Sequence, residues 1–229
     1  MLWLNLGRQT ENLSFSNDNQ FPAENGEWVY LFDGETVNGL RGDRMDTFPY
    51  RAWKIENGVL TTNIDGTTTD LITEKRYSDF ELILEYKLSE NANSGVKYFV
   101  LEYEYYDRRS LGIEYQLLDG DPGKDTYKHA ALYDILPTTG KIKTNPVGQW
   151  NELRIVSKGN HAEHWLNGEL VLSFTRGSKE YREAIARSKF NNIENFGEVK
   201  EGHILLQYHG SSHRHGRPVS FRNIKIREL

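Results

Sequence analysis

The chain has 229 residues, enough for one large or two small domains, and 28 basic against 33 acidic residues give it a formal charge of −5. It has no long basic run, which argues against nucleic acid as a partner. The absence of cysteine excludes disulfides and thiolate metal sites, and no apolar stretch is long enough to span a bilayer. This composition suits a protein that binds a polar, roughly neutral ligand.

The domain is expected to follow a polar lead-in. Residues 1–26 are rich in asparagine and are interpreted as extended or poorly ordered, whereas residues 27–229 are interpreted as a single domain. The first residues have neither the basic start nor the long apolar stretch of a signal peptide. Early in the domain, Asn57 and Gly58 separate two short strand-like runs, which is the strongest short signal of a hairpin.

Two consecutive stretches predict long strands. Residues 79–88 alternate apolar and mostly charged side chains, as a strand with one buried face does. Residues 96–103 are largely apolar on both faces, which predicts a strand covered at least partly on both sides. Its two predicted faces begin with Val96, Tyr98 and Val100 on one side and Lys97, Phe99 and Leu101 on the other.

The second half of the chain predicts further strands and one helix. Residues 119–146 are rich in Gly, Pro, Asp and Thr and are interpreted as a long excursion over one sheet face. Residues 150–174 predict about three strands joined by tight turns at Lys158-Gly159-Asn160 and at Asn167-Gly168. The histidines of the segment 161–164 point to opposite faces of such a strand and are expected at the surface. The last two strands are predicted at residues 203–209 and 219–229.

Two local features complete the prediction. Ser178 is a candidate cap for a helix from Lys179 to about Lys189, the one segment that predicts a helix. A bulge near Arg222 and Asn223 is expected if the apolar residues on either side of them both point inward. Ten or more short strands with one helix predict an all-β fold, a two-sheet antiparallel sandwich.

The strand over residues 111–119 carries the most informative polar pair. Because successive side chains alternate between faces, Glu114 and Gln116 share one face, opposite an apolar face that is expected in the core. A solvated sheet face explains such a pair most simply. A ligand site is the alternative.

The strand over residues 203–209 places Gln207 and His209 on one face by the same rule. If this strand lies near the first, both side chains face the space in front of Glu114. A histidine beside a glutamate can exchange protons near neutral pH, and a nearby Arg or Lys can stabilise an oxyanion. A purely structural role for His209 remains the alternative.

A conventional glycosidase needs two carboxylates roughly 5 to 9 Å apart. The polar neighbour of Glu114 on its face is the amide Gln116, and Asp119 has the opposite parity, although Asp119, Asp121 or Asp134 can return through the following loop. A metal site at His209, His213 and His215 has only weak support, because these histidines lack a specific ligand spacing.

Short segments across residues 28–229, in the expected order, resemble the bacterial 3-keto-disaccharide hydrolase family. They include Leu31-Phe-Asp-Gly, Trp53-Lys-Ile-Glu-Asn-Gly-Val-Leu, Tyr77-Ser-Asp-Phe-Glu-Leu, Asn93-Ser-Gly-Val, Ile113-Glu-Tyr-Gln-Leu-Leu-Asp, Ala131-Leu-Tyr-Asp, Gln149-Trp-Asn, Leu166-Asn-Gly, Leu206-Gln-Tyr-His-Gly and Phe221-Arg-Asn-Ile. The resemblance implies a concanavalin A-like jelly-roll sandwich whose concave sheet binds a sugar. It also implies a hydrolase that acts on glycosides oxidised at C3, in the periplasm or cell envelope.

The resemblance and the strand parities together nominate Glu114 and His209 as catalytic residues. The candidate substrate-binding residues are Lys97, Gln116, Asp119, Tyr133, Gln207, Arg222 and Trp53. Tyr133 and Trp53 are candidate stacking platforms, with burial in the core as the alternative. The chemistry calls for no cofactor, although a divalent metal ion is compatible with it. A non-catalytic carbohydrate-binding module and a conventional two-carboxylate glucanase are the competing functions.

A single base suffices for a 3-keto substrate. The ketone acidifies the proton on C2, so a base can remove it, the enolate can expel the group at C1, and water can then add. We therefore expect Glu114 and His209 to divide the roles of base and leaving-group acid. Arg222, Lys97 or a metal ion would stabilise the enolate.

Overall fold

The computed structural model of the protein describes residues 26–106, 109–209 and 217–229. In this part of the chain the strands are β1 (Val29–Phe32), β2 (Leu40–Gly42), β3 (Trp53–Glu56), β4 (Val59–Thr62), β5 (Leu71–Thr73), β6 (Phe80–Leu88), β7 (Asn93–Tyr106), β8 (Arg109–Leu118), β9 (Asn151–Lys158), β10 (His161–Leu166), β11 (Glu169–Thr175), β12 (His203–Leu206) and β13 (Val219–Glu228). One α-helix, α1, spans Lys179–Ala186, and one short 3₁₀ helix spans Asp125–Tyr127. The predicted lead-in lies outside these residues apart from Gly26.

The strands form two antiparallel sheets with the apolar core between them. The large sheet has the order β11-β10-β9-β6-β13-β4-β3, and β1 also pairs with β13. The small sheet has the order β2-β5-β12-β7-β8. The predicted two-sheet antiparallel sandwich is confirmed. Among the described residues no helix is long and apolar enough to cross a membrane.

Tight turns set the register of the hairpins. Asn57 and Gly58 have φ values of 51° and 76°, and Asn167 and Gly168 have φ values of 50° and 82°. Both central residues of a type I′ turn need positive φ, which asparagine and glycine adopt most easily. The predicted hairpins at these two positions are confirmed.

The predicted bulge in β13 is present. Asn223 has a φ of 51°, and the pairing of β13 with β6 shifts between Arg222 and Lys225. The shift allows Phe221 and Ile224 to be buried together, with exposures of 0% and 1%. An extra residue in one strand reverses the alternation of faces beyond it.

A second bulge, in β7, was not predicted. Phe99 has a φ of 53°, and the pairing of β7 with β8 shifts beyond Tyr98. Phe99 therefore joins Tyr98 in the core, while Val100 lies in a small separate cluster of buried side chains on the small sheet. The predicted alternation is wrong from Phe99 onward. A side chain on Gly202 would overlap the Phe99 backbone, so glycine is needed there.

Helix α1 begins at the predicted cap. The Ser178 hydroxyl accepts a hydrogen bond from the backbone N–H of Tyr181 at 3.1 Å, which satisfies one of the free donors of the first turn. Tyr181 and Ile185 are buried, as expected for the inner face of the helix. The helix ends at Ala186, three residues before the predicted end.

Residues 119–146 were expected to cover a sheet face. Instead, part of this segment is hydrogen-bonded to the edge of the small sheet, along β8. The N–H of Gln116 donates to the carbonyl of Ala131 at 3.1 Å, and the N–H of Ala130 donates back to Gln116 at 2.8 Å. The N–H of Tyr133 donates to the carbonyl of Glu114 at 3.0 Å. These bonds cover an edge that would otherwise expose unpaired backbone groups.

Of the three buried histidines that the structure describes, His129 and His164 pack against aromatic rings of the core. His164 was expected at the surface, but it is fully buried, with Nε2 2.8 Å from the Tyr98 hydroxyl and Nδ1 2.9 Å from the Ala130 carbonyl. His129 lies 2.6 Å from the Tyr86 hydroxyl. Burial disfavours the charged imidazolium and lowers the pKa of each histidine to about 4, although a hydrogen bond to the backbone opposes the shift.

We expect acid to destabilise the fold through these histidines. Between about pH 6.5 and pH 4 the unfolded chain binds protons that buried His129 and His164 cannot, so the free energy of unfolding falls as the pH falls. The loss should be on the order of 3 kcal/mol for each histidine. Denaturant unfolding across this range should show a shallower pH slope for His164→Gln. Equal slopes for the wild type and His164→Gln would contradict the prediction.

Candidate active site

The outer face of the small sheet carries a pocket of about 250 Å³. Its lining residues are Asn93, Lys97, Ser110, Leu111, Gly112, Glu114, Gln116, Tyr133, Lys189, Phe190, Gln207 and His209. Six of the nine predicted site residues are among them. The pocket therefore joins side chains from β7, from β8, from the segment after β12 and from two loops.

Glu114 and Gln116 project from β8 because the alternate side chains of this strand belong to the core. Glu114 is 8% exposed and Gln116 is 3% exposed. With its amide oriented to suit its neighbours, Gln116 donates to Glu114 Oε1 and to the Ser94 carbonyl, both at 3.2 Å. A side chain at Gly95 on the adjacent strand would overlap the Glu114 carboxylate, so the glycine provides the space in which the carboxylate lies.

Lys97 is the cation on the pocket floor. Its Cα is paired with that of Glu114 across β7 and β8, and its side chain is 6% exposed. The ammonium group donates to the carbonyl oxygen of Ser110 at 3.2 Å. The Ser110 hydroxyl in turn lies 2.9 and 2.8 Å from the two carboxylate oxygens of Asp43. A positive charge is thus held beside the Glu114 strand in a largely buried setting.

Gln207 and His209 reach the pocket from the end of β12. This strand pairs with β7, so one strand separates it from β8. The Gln207 backbone is fixed at both ends, because its N–H donates to Gly95 at 2.9 Å and its carbonyl accepts from Ser94 Oγ at 2.7 Å. The side-chain oxygen of Gln207 is buried and has no hydrogen-bond partner within the described ranges. Such an oxygen is suited to accept a hydrogen bond from a ligand hydroxyl.

The opposite wall contains a residue that sequence reasoning missed. Lys189 lies with its ammonium group 4.4 Å from the centre of the Tyr133 ring. Its backbone N–H donates to Asp134 at 2.8 Å, and Asp134 also pairs with Lys124. The rings of Tyr133 and Tyr127 lie 4.9 Å apart. No local pattern indicates Lys189, because only the fold of the loop after α1 brings it to the pocket.

Three predicted substrate-binding residues lie elsewhere, and these predictions need correction. Trp53 is fully buried and donates from its indole to the Thr69 carbonyl at 2.7 Å, so its ring has no face for a sugar. Asp119 accepts from the Asn91 N–H at 2.6 Å and borders a second cavity of about 250 Å³. Its carboxylate ties a turn to the end of β8.

Arg222 lies on the large sheet, on the side away from the core. Because the β13 bulge turns the residues on both sides of it inward, the guanidinium points out and pairs with Glu85 at 3.0 and 2.8 Å. It also lies 4.2 Å from the centre of the Trp150 ring. Arg222 is therefore not available to stabilise an enolate in the pocket.

Charge in the pocket is distributed unevenly. Glu114 is the one carboxylate among the lining residues that the structure describes, and Lys97 and Lys189 are the lysines. No group of three or more metal-ligating side chains occurs in the described ranges, and His213 and His215 lie outside them. A two-carboxylate arrangement is therefore not found in the described lining.

The described geometry agrees with the relationships of the chain to known proteins. Residues 27–227 match the model of the 3-keto-alpha-glucoside-1,2-lyase-like domain family. A 3-keto-disaccharide hydrolase of Bacteroides thetaiotaomicron is 32% identical over 243 residues, which cover 92% of this chain and 81% of that protein. The chain belongs to this family. The predicted membership of the 3-keto-disaccharide hydrolase family is confirmed, as is the prediction of a glycosidic hydrolase at the level of the family.

Solved structures support the fold of this family member. A Parabacteroides distasonis protein that is provisionally described as a glycosyl hydrolase is 29% identical, with a TM-score of 0.75 over 89% of this chain and 94% of that one. The laminarinase catalytic domain of Thermotoga petrophila is 10% identical, with a TM-score of 0.52 over 89% of this chain and 98% of that one. The second likeness concerns the fold alone. The predicted concanavalin A-like sandwich is confirmed.

We expect Gly95→Ala to displace the Glu114 carboxylate. The added methyl group would occupy the position of that carboxylate, which must turn away from Gln116. A crystal structure of the variant checks the carboxylate position, and thermal unfolding checks that the variant is folded. Gly140→Ala, which adds a methyl group far from the pocket, is the control. A carboxylate in its original place would contradict the prediction.

Proposed function

We propose that the protein hydrolyses 3-keto-glycosides, 3-keto-disaccharides among them, by elimination followed by hydration. The observation that carries this proposal is the pocket itself, in which one carboxylate, one imidazole and a buried lysine meet with no second carboxylate among the described lining residues. Direct hydrolysis at C1 needs two acids, whereas elimination from a ketone needs one base, one acid and a donor for the oxyanion.

The proposed reaction begins with the loss of a proton from C2. Glu114 removes the proton on C2, and the electron pair moves to give an enolate oxygen at C3, beside the Lys97 ammonium. The enolate re-forms the ketone and expels the oxygen at C1, which takes a proton from His209, leaving a double bond between C1 and C2. Water then adds its hydroxyl to C1 and a proton returns to C2, so that the sum is hydrolysis.

The different burial of Glu114 and His209 supports their roles as base and acid. Glu114 is buried on the pocket floor, on the strand paired with that of Lys97, where the reacting ring would lie. His209 is exposed at the mouth, where a departing sugar would leave. The side-chain oxygen of Gln207, which has no hydrogen-bond partner in the part of the chain that the structure describes, suits a ring hydroxyl, and the hydroxyl of Tyr133 is a further candidate donor.

The incorporation of deuterium from the solvent into the product tests whether the reaction proceeds by elimination and hydration. In D₂O, elimination and hydration should place one deuteron on C2 of the product, because the C2 proton leaves and a solvent deuteron replaces it. Nuclear magnetic resonance of the early product measures this label. Product incubated in D₂O without the protein is the control for spontaneous exchange. Cleavage of ordinary glucosides at the same rate would refute the route, whereas a retained C2 proton would require that Glu114 return the same proton before it exchanges with solvent.

The turnover of Glu114 and His209 variants tests which residue is the base and which is the acid. Glu114→Gln should lower kcat by at least about 100-fold on every 3-keto substrate, because general-base catalysis contributes roughly 10² to 10⁴. His209→Ala should be impaired on 3-keto-disaccharides but nearly normal with a nitrophenyl leaving group, which departs without a proton. The matched controls are Glu56→Gln and His161→Ala, which lie outside the pocket. The reverse pattern would exchange the two roles, and unaffected turnover in both variants would reject them.

A further inference from the structure

The strand pairing alone does not explain where the Lys97 ammonium group lies. Lys97 and Glu114 are Cα partners, so their side chains leave the same face with Cβ atoms about 4.5 to 5.5 Å apart. The ammonium group nevertheless donates to the carbonyl of Ser110, four residues earlier in β8. It is therefore directed along β8 towards the start of that strand.

Ser110 is held by its side chain where the sheet is irregular. The pairing of β7 with β8 shifts on both sides of the Leu101 and Leu111 pair and resumes at Ser110, so Ser110 borders an irregular stretch of the ladder. Its hydroxyl has three acceptors within reach, the two oxygens of Asp43 at 2.9 and 2.8 Å and the Glu102 carbonyl at 3.2 Å. Ser110 is 1% exposed and Asp43 is 7% exposed.

Asp43 is itself anchored at the end of β2. Its N–H donates to the Asp70 carbonyl at 2.9 Å. The next N–H, that of Arg44, donates to Glu102 at 2.8 Å, and Arg41 holds the same Glu102 carboxylate by two bonds of 2.5 and 2.9 Å. The carboxylate that faces Ser110 therefore rests on a rigid, ion-paired support.

We propose that Asp43 and Ser110 are positioning residues that hold the Lys97 ammonium group at the Ser110 end of the pocket. Opposite charges on directly paired residues attract, and a flexible lysine would otherwise close on Glu114 and neutralise both groups. Held at Ser110, the ammonium group stays directed along β8 towards the start of the strand and away from Glu114. This inference rests on the proposed function, in which Lys97 receives the enolate charge.

The test is a double-mutant cycle on a 3-keto-glucoside, with kcat and KM measured separately. Ser110→Ala and the isosteric Asp43→Asn should each lower kcat about 10-fold with KM changed less than about twofold, because an oxyanion donor acts mainly in the transition state. Lys97→Met should lower kcat about 100-fold. Ser110→Ala combined with Lys97→Met should match Lys97→Met alone within about twofold, because residues that act through one group are not additive.

A buried serine elsewhere supplies the matched control. Ser220 of β13 is 7% exposed, and its hydroxyl lies 2.9 Å from that of Thr61. Ser220→Ala should lower the melting temperature as Ser110→Ala does and leave kcat unchanged. If Ser110→Ala and Asp43→Asn also leave kcat unchanged, the positioning role is refuted.

The remaining outcomes separate this inference from the proposed function. If the Ser110 and Lys97 effects multiply to about 1,000-fold in the double variant, the residues act independently and the positioning role is refuted, while the proposed function stands. If Lys97→Met turns over the 3-keto-glucoside at the wild-type rate, the enolate role of Lys97 fails, and the positioning role fails with it.

Discussion

The antiparallel pairing of β7 with β8 is the constraint on which the site depends. This register sets Lys97 opposite Glu114 and Gly95 opposite Gln116, so a carboxylate, the space it occupies, a cation and an amide come together within a few residues of two strands. A shift of one residue would turn this face into the core and the core into the surface. The apolar set that fills the sandwich from the other face of β8 therefore also determines the chemistry of the outer face.

The surrounding structure keeps that pair of strands in place. The segment after β8 bonds along its edge, which fixes the backbone of Glu114 and at the same time delivers Tyr133 to the pocket. On the other side, Gln207 is bonded to Gly95 and Ser94 of β7. The bulge at Phe99 redirects the strand beyond the pocket. Rigid supports of this kind are what a site needs when its groups must be aligned before the substrate arrives.

Arg222 on the large sheet and Lys97 on the small sheet are held in different ways. On the large sheet, Arg222 forms an ion pair with Glu85 and packs on the Trp150 ring, so its positive charge is neutralised within the protein. On the small sheet, the Lys97 ammonium group is bonded to a neutral carbonyl, and the Gln207 side-chain oxygen has no partner in the described residues. Polar groups left with spare bonding capacity at a pocket are the ones that recognise a ligand.

Local rules were enough to predict the two-sheet class, the hairpins at Asn57 and Asn167, the cap at Ser178, and the outward pair Glu114 and Gln116. These follow from alternation and turn chemistry, which act within a few residues. Long-range packing brings His209 and Lys189 to the pocket of Glu114, and it places Trp53 and Arg222 elsewhere. Strand order and bulges bring distant residues together or turn them away, and parity along one strand carries no information about either.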